Sequence, residues 1–465
     1  MKIFDTIAAV STPRGKGGVA MIRISGENAL EYASRVFFPK NGRLLCEAES
    51  NRALYGDIKE GDTDGSLTVI DDGVAVVYRA PHSFTGEDTV EICCHGGVLV
   101  TESVLGACFA AGCRQADAGE FTRRAFIYGK LSLSQAEDLG ALLEAKTHGQ
   151  LLLSRSGLDG HLTREIRGVY EGLRDILASV YAKIDFPDED LASIDEAEMI
   201  EMVKKSCERL VALEKTYKAG HAVREGVKTV ICGRTNAGKS SLYNRIVGRD
   251  AAIVTDVEGT TRDILEQTAS LGKVTLLLCD TAGLRETSDR VENIGIERSR
   301  AAIADAELIL AVFDLSQELS EDDRALLDEL SGCGNVIAAM NKCDSENFSE
   351  KNAAEIASRF ENCVRISAKT GEGVASLAEK VEKLFDCGDV DLRTDAIVSG
   401  ARQHASILRA LDHLREACGA LSTGMTVDLC GTDIECAMSA LAEIDGREVT
   451  EDIVSDIFAH FCVGK

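Results

Sequence analysis

Apolar residues recur along this chain with two different periods, and the change from one to the other divides it. Over residues 1–118 the apolar positions fall in short runs that predict strands. Thr6–Val10 and Val19–Ile24 flank the glycine-rich turn Pro13–Gly18, and Val74–Tyr78 and Thr89–Cys94 flank a loop, Ala80–Asp88, that carries Pro81, Phe84 and Gly86. Two helical patterns, Gly26–Val36 and Gly97–Ala111, interleave with them, so this stretch reads as an α+β domain.

From Ala118 the period becomes helical. Glu120–Tyr128, Ser134–Thr147, Gly149–Leu158, His161–Ile184 and Asp195–Ala219 carry apolar residues at helical spacing with few breakers. The fourth should stop at Ile184-Asp-Phe-Pro187, because proline disfavours helical geometry in the residue before it. Strand patterns return at Val227, Val274–Cys279, Asn335–Met340 and Cys363–Ile366, and helices resume in Ile397–Ala420, Val427–Ile444 and Thr450–Phe461. Helices therefore bracket a strand-rich segment. The termini of a compact α/β domain often lie close together, so such a domain can be inserted into a helical one. The predicted fold class is multidomain α/β: an α+β N-terminal domain (1–118), a discontinuous helical domain (119–221 and 388–465), and an inserted Ras-like P-loop domain with a mostly parallel sheet (222–387). Two separate helical domains are the alternative.

The insert carries the chemistry. Val227–Gly248 runs strand, turn, helix, and its turn, Gly233-Arg-Thr-Asn-Ala-Gly238-Lys239-Ser240, fits G-x-x-x-x-G-K-[ST] in the context that phosphate-binding pattern requires. Backbone N–H groups of such a loop point at phosphates, Lys239 reaches the β- and γ-phosphates, and the Ser240 hydroxyl suits Mg²⁺. Four signals follow in order. The hydroxyl-rich stretch Val254–Asp263 can complete the Mg²⁺ shell. Asp280-Thr281-Ala282-Gly283 ends a strand with a carboxylate and a glycine amide. Asn341-Lys342-Cys343-Asp344 offers an Asp that accepts both the N1–H and the amine of guanine. Ser367-Ala368-Lys369 can contact the base through its backbone. Each lies at a strand end, where doubly wound sheets bind ligands. The candidate GTP residues are Asn236, Ala237, Gly238, Lys239, Ser240, Ser241, Thr255, Thr260, Thr261, Asp280, Thr281, Ala282, Gly283, Asn341, Lys342, Asp344, Ser367, Ala368 and Lys369. Leu284 stands where many small GTPases place a water-orienting glutamine, and leucine cannot hydrogen-bond water. Glu286, Asp289 and Glu292 are the nearby carboxylates, and the sequence does not choose among them.

Composition changes this picture little. The 465 residues are 45% hydrophobic and 28% charged, which is globular, and the formal net charge of −26 requires a local basic patch for any RNA partner. Arg123, Arg124, Lys204, Lys205, Arg402, Arg409 and Arg415 are candidates for one. The sixteen cysteines form no C-x-x-C pair, and Cys93-Cys94-His95 is followed by no second ligand pair at zinc spacing. With no signal peptide and no membrane-length apolar run, the chain reads as reduced and cytoplasmic.

Taken with its flanks, the sequence resembles the MnmE (TrmE) family of tRNA-modification GTPases over essentially its whole length. The matching stretches are STPRGKGGVAMIRISG, PHSFTGEDTVEICCHGG, AGEFTRRAFIYGKLSLSQAE, GTTRD, DTAGLRE, IDFPDED and the terminal Phe461-Cys462-Val463-Gly464-Lys465. The resemblance implies a homodimer that dimerises and binds folate through its N-terminal domain. It further implies a heterotetramer with the flavoprotein MnmG (GidA), and a tRNA substrate modified at carbon 5 of the wobble uridine. The one-carbon unit would come from a tetrahydrofolate derivative (5,10-methylene or 5-formyl form), giving aminomethyl or carboxymethylaminomethyl uridine. It implies GTP hydrolysis stimulated by K⁺ when two G domains meet, without an arginine finger.

Carried over residue by residue, the K⁺ ligands match Asn236, Thr255, Val257 and Thr260, and the Mg²⁺ ligands match Ser240 and Thr261. The catalytic, water-orienting acid matches Glu292, and the folate contacts match Arg23, Glu87, Lys130 and Lys465. Asn236 also reads as an ordinary turn residue, and Arg23 and Lys130 as solvated charges. Cys462 is a candidate reactive thiol, although its Phe-Cys-Val context predicts a packed one. Thr235 stands where proline is common in the family. The alternative function is a regulatory GTPase switch on ribosomal RNA or ribosome precursors, which would have no need of the N-terminal domain or the Lys465 motif.

Overall fold

The computed structural model describes residues 5–61, 66–185, 196–249, 267–279, 302–422 and 427–465. They fall into two units, one of Met1–Gly140 with Asp445–Lys465 and one of Ala141–Ile444.

In the first unit seven strands form one sheet in the order β3-β4-β5-β6-β2-β1-β7. They are β1 (Ile7–Val10), β2 (Val19–Ser25), β3 (Phe37–Pro39), β4 (Ala53–Gly61), β5 (Leu67–Tyr78), β6 (Thr89–His95) and β7 (Arg114–Gln115). All neighbours are antiparallel except β1 and β7. Helices α1 (Ala29–Val36) and α2 (Val98–Ala111) close one face, and Ala33, Val36, Val104 and Cys108 share a buried cluster with Ile22, Ile24, Val77 and Ile92. The sequence did not predict β4, whose charged residues alternate with only a few buried positions. Beyond the sheet lie α3 (Glu120–Ile127) and α4 (Leu133–Glu144). Leu133 and Ala136 pack on Val454 and Phe458 of the C-terminal helix Glu451–Ala459. The tail then returns to the sheet: Val463 bridges Ala118, the Phe121 N–H donates to the Lys465 carbonyl (3.0 Å), and the Ser11 hydroxyl donates to the Gly464 carbonyl (3.0 Å). Gly464 has φ 102, and a Cβ there would lie 2.2 Å from the Val10 carbonyl oxygen, so glycine is what allows this approach.

The second unit combines a helical bundle with a second sheet. Helices α5 (His148–Leu158), α6 (His161–Asp185), α7 (Glu196–Lys215) and α8 (Tyr217–Arg224) precede the sheet. The single helix expected over Asp195–Ala219 is thus two. At the break the Thr216 hydroxyl donates to Leu213 O (2.6 Å) and accepts from Val398 N (3.0 Å). Ile397 and Val398, expected to begin the next helix, are buried in irregular chain before it, and that helix starts at Ala401.

The sheet has the order β13-β12-β11-β8-β10-β9. Its strands are β8 (Val227–Cys232), β9 (Gln267–Leu271), β10 (Val274–Leu278), β11 (Leu308–Asp314), β12 (Val336–Asn341) and β13 (Cys363–Arg365). All pairs are parallel except β9 with β10, so the sheet is mostly parallel as expected. The wholly apolar interior of β11, buried at every position, is the mark of a strand covered on both faces. Helices α9 (Lys239–Arg249), α10 (Glu321–Leu330), α11 (Glu350–Ala357) and α12 (Val374–Leu384) accompany it. Then α13 (Ala401–Ser422) and α14 (Val427–Asp445) pack with α6 and α7 around Ile166, Leu173, Val203, Leu210, Leu414 and Leu441. Among the described residues no helix is long and apolar enough to cross a membrane.

Candidate nucleotide site and a buried charged cluster on the N-terminal unit

Strand β8 lies between β11 and β10, so the turn after it opens at the carboxyl edge of the sheet beside the ends of β11 and β12. Three segments meet there around a cleft of about 720 Å³. Its lining comprises Thr235, Asn236, Gly238, Lys239, Ser240 and Ser241 from the first turn, Asn341, Lys342, Asp344 and Ser345 after β12, and Ser367, Ala368 and Lys369 after β13.

One buried side chain ties the three together. Asn341, 2% exposed, donates through Nδ2 to the Ala237 carbonyl (2.7 Å) and accepts through Oδ1 from the Ala368 N–H (2.9 Å). Gly238 has φ 103, and a Cβ on it would lie 2.0 Å from Asn341 Nδ2. The second glycine of the loop is therefore required by the asparagine of another strand as well as by its own turn. Lys239 curls back over the loop, donating to the carbonyls of Gly233 (2.7 Å) and Arg234 (2.8 Å), and burial pulls its pKa down. A half-buried ammonium with only neutral carbonyls for partners suits an incoming anion. Asn236 adopts φ 63, a left-handed backbone that asparagine tolerates, and its side chain is exposed at the cleft.

The base-recognition segment is braced from below. The Lys342 ammonium is 2.6 Å from Asp314 Oδ2 at the tip of β11, and Arg234 is 3.5 Å from the same oxygen. Burial pushes the Asp314 carboxyl up, but the bonds from Lys342 and Ser316 outweigh it and hold the group below its usual range. Arg245 of α9 donates to the carbonyls of Lys369 and Ala368. Among the described residues Asp344 has no ion-pair partner, which leaves its carboxylate to face the cleft.

A second group of charged residues is buried in the first unit. Arg23 of β2 pairs with Glu91, its register partner on β6 (2.8 Å), and its guanidinium lies between the rings of Phe84 (5.2 Å) and Phe121 (5.6 Å). Its Nη1 is buried with no hydrogen-bond partner. The Lys465 ammonium is lowered by burial and then by the Arg23 charge, with Glu91 opposing. Two cations beside one carboxylate, with one buried N–H orphaned, suit an anionic or polar-edged group. Glu87 is held by Arg124 (3.0 and 3.1 Å) and the Ser25 hydroxyl (2.8 Å), and Lys130 donates to the Pro81 carbonyl (2.9 Å) across the same loop.

The family model described as MnmE helical domain matches residues 133–462, and the model described as GTP-binding protein TrmE N-terminus matches residues 6–130. The chain is 41% identical over 466 residues to the tRNA modification GTPase MnmE of Listeria innocua serovar 6a, covering 99% of this chain and 100% of that one. This chain belongs to the MnmE family. The protein of the same description from Lactococcus lactis subsp. cremoris is 40% identical, covering 99% of each chain, and that of Thermoanaerobacter pseudethanolicus is 36% identical, covering all of both. Among solved structures, the G domain of the T. maritima FeoB iron transporter is 26% identical, covering 34% of this chain and 98% of its own, with a TM-score of 0.25.

Of the residues that the sequence nominates for this MnmE-family protein, those in the P-loop, NKxD and SAK segments surround one cleft, with Ala237 buried behind it. Thr255, Val257, Thr260, Thr261, Asp280, Thr281, Ala282, Gly283 and Glu292, together with Leu284, Glu286 and Asp289, lie outside the described residues. Two expectations are corrected. Cys462 is exposed and not packed, because Phe461 takes the apolar place beside Phe458 (5.6 Å) and against Gly140. Arg124 is no surface cation for RNA: it is 4% exposed and held by Asp5, Glu87 and Glu120. Its only sequence signal was the i,i+4 spacing from Glu120. Asp314, which braces Lys342 and is itself met by Arg234, carried no recognisable motif.

Proposed function

We propose that this chain is a cytoplasmic, K⁺-dependent GTP hydrolase. With a flavoprotein partner of the MnmG kind, it modifies carbon 5 of the wobble uridine of certain tRNAs, drawing the one-carbon unit from a tetrahydrofolate derivative. Membership of the MnmE family over the whole chain carries this reading. The cleft supports the GTP part. Lys239 and the loop amides suit the phosphates, Ser240 suits Mg²⁺, Asp344 suits the guanine edge, and the Asn341 ties keep base and phosphate segments at a fixed spacing. K⁺ beside the phosphates would supply charge that other GTPases take from an arginine, with Asn236, Thr255, Val257 and Thr260 as its ligands. Thr261 joins Ser240 on Mg²⁺, and Glu292 orients the attacking water.

The folate part is supported by the Arg23–Glu91–Lys465 cluster. Its orphaned guanidinium N–H and depressed ammonium suit a carboxylate tail or a pterin edge, and Glu87 and Lys130 border the adjoining loop. The chain acts as a homodimer in this reading, paired with its flavoprotein in a heterotetramer.

The deciding measurement is steady-state GTP hydrolysis in K⁺ against Na⁺ over a range of protein concentrations, alongside binding of 5-formyltetrahydrofolate. Strong K⁺ preference that rises with concentration, together with folate affinity, is the expected result. Equal rates in the two salts would refute the cation site, and absence of folate affinity would favour a ribosomal switch. Glu292→Ala should keep nucleotide affinity and lose K⁺-stimulated turnover by roughly 10²–10⁴-fold; turnover at the unmodified rate would remove Glu292 from the mechanism.

A further inference from the structure

Helices α13 and α14 lie in one apolar cluster of the second unit, with Leu414, Ala417, Ile434 and Ala437 buried between and around them. At the rim of this packing three side chains that can ligate metal converge: His413 and Glu416, one turn apart on α13, and Asp433 on α14. One ligand atom from each lies within 4.8 Å of the other two. His413 Nδ1 is buried with no hydrogen-bond partner, and it lies 3.9 Å from Glu416 Oε2. That gap is too long for a hydrogen bond. Two donors on one tetrahedral Zn²⁺, bonded at about 2.0–2.2 Å each, sit about 3.3–3.5 Å apart. A small rotation of the exposed Glu416 side chain closes the difference.

We propose that His413, Glu416 and Asp433 form a binding site for a divalent transition metal, with Zn²⁺ as the ion it fits best. One imidazole and two carboxylates make a donor set that Zn²⁺ accepts, whereas Mg²⁺ and Ca²⁺ favour oxygen donors alone. With three protein ligands at a partly exposed rim, the fourth position is left to water. The ion would add a tie between two helices that already share apolar packing and the contacts of Arg402, Ser406 and Arg409 with Glu443.

A second His–carboxylate cluster among the described residues shows the contrast. In Asp71, Asp72 and His95, the imidazole Nδ1 is 2.8 Å from Asp71 Oδ1, the His95 N–H donates to Asp71 Oδ2 (2.8 Å), and the Tyr55 hydroxyl donates to Asp72. Those donors are satisfied by one another. His413 Nδ1 is not.

The test is a Zn²⁺ titration of the full chain by calorimetry in excess Mg²⁺, repeated with Co²⁺ as a spectroscopic probe. One Zn²⁺ per chain is expected. His413→Ala and Asp433→Asn should each weaken it at least tenfold, Glu416→Gln should weaken it less, and His95→Ala should leave it unchanged. Circular dichroism checks that each variant keeps its helical content. Unchanged Zn²⁺ affinity in both His413→Ala and Asp433→Asn would overturn the site, as would its loss in His95→Ala. Because the sixteen cysteines are alternative ligands, a Co²⁺–thiolate charge-transfer band that survives in His413→Ala would assign the metal to them and overturn the proposal too.

Discussion

Arg124→Ala should destabilise the N-terminal unit by about 3–5 kcal/mol, the range for leaving buried charges without their partner. The guanidinium reaches Asp5 Oδ1 (2.8 Å), Glu87 (3.0 and 3.1 Å) and Glu120 Oε1 (2.9 Å) at once. Glu87 and Glu120 are themselves buried, at 7% and 2% exposed, so truncation leaves carboxylates that water cannot reach. Arg114 still covers Glu120 and Asp5, which makes Glu87 the group most exposed to the loss. Burial raises the Asp5 and Glu120 carboxyls, and the arginine bonds outweigh it, so both titrate below the usual carboxylate range in the folded chain. A group with a depressed folded pKa stabilises fully above its unfolded value and loses that contribution as pH falls through the folded one. The deficit of the variant should therefore be greatest near neutral pH and shrink as the carboxylates protonate. Urea denaturation at neutral and acidic pH measures both, and a midpoint equal to that of the unmodified chain at neutral pH would contradict the network. Arg124→Lys keeps the charge without the fork and should recover only part of the loss.

Asp344→Asn should reverse the base preference of the cleft from GTP to xanthosine triphosphate, changing their ratio by roughly 10⁴-fold. The carboxylate accepts two N–H groups from guanine. An amide offers one acceptor and one donor, and xanthine presents a carbonyl where guanine has its amine. Lys239 and the Asn341 ties are untouched, so the phosphate side of the cleft stays intact and total nucleotide affinity persists. Competition of the two nucleotides for a fluorescent analogue reads the ratio directly; GTP preferred as before would sink the base assignment.

Those elements that were legible have local signals. Alternation in β2, helical spacing in α6 and a proline beyond it need only neighbours in sequence, and the P-loop announces itself by a spacing of two glycines, a lysine and a serine. What failed to show were places where a distant group changes the local answer. Thr216 breaks a helix because its hydroxyl meets Val398, and Ile397 and Val398 are apolar at helical spacing yet are buried outside any helix. Cys462 sits in an apolar stretch and is nonetheless exposed, since Phe461 claims the contact.

The sequence by itself determined the kind of protein this is: a nucleotide-binding insert between helices, in a chain of the MnmE family, with its chemical groups at strand ends. The tertiary structure decided how those groups are held. It brought Asn341 under the P-loop and the SAK turn, Asp314 under Lys342, the terminal Lys465 beside Arg23, Arg124 among three carboxylates, and His413 opposite Asp433. The reason is physical. Periodicity and turn chemistry act over a few residues, whereas the protonation and pairing of a charge depend on desolvation and on partners that only folding brings near.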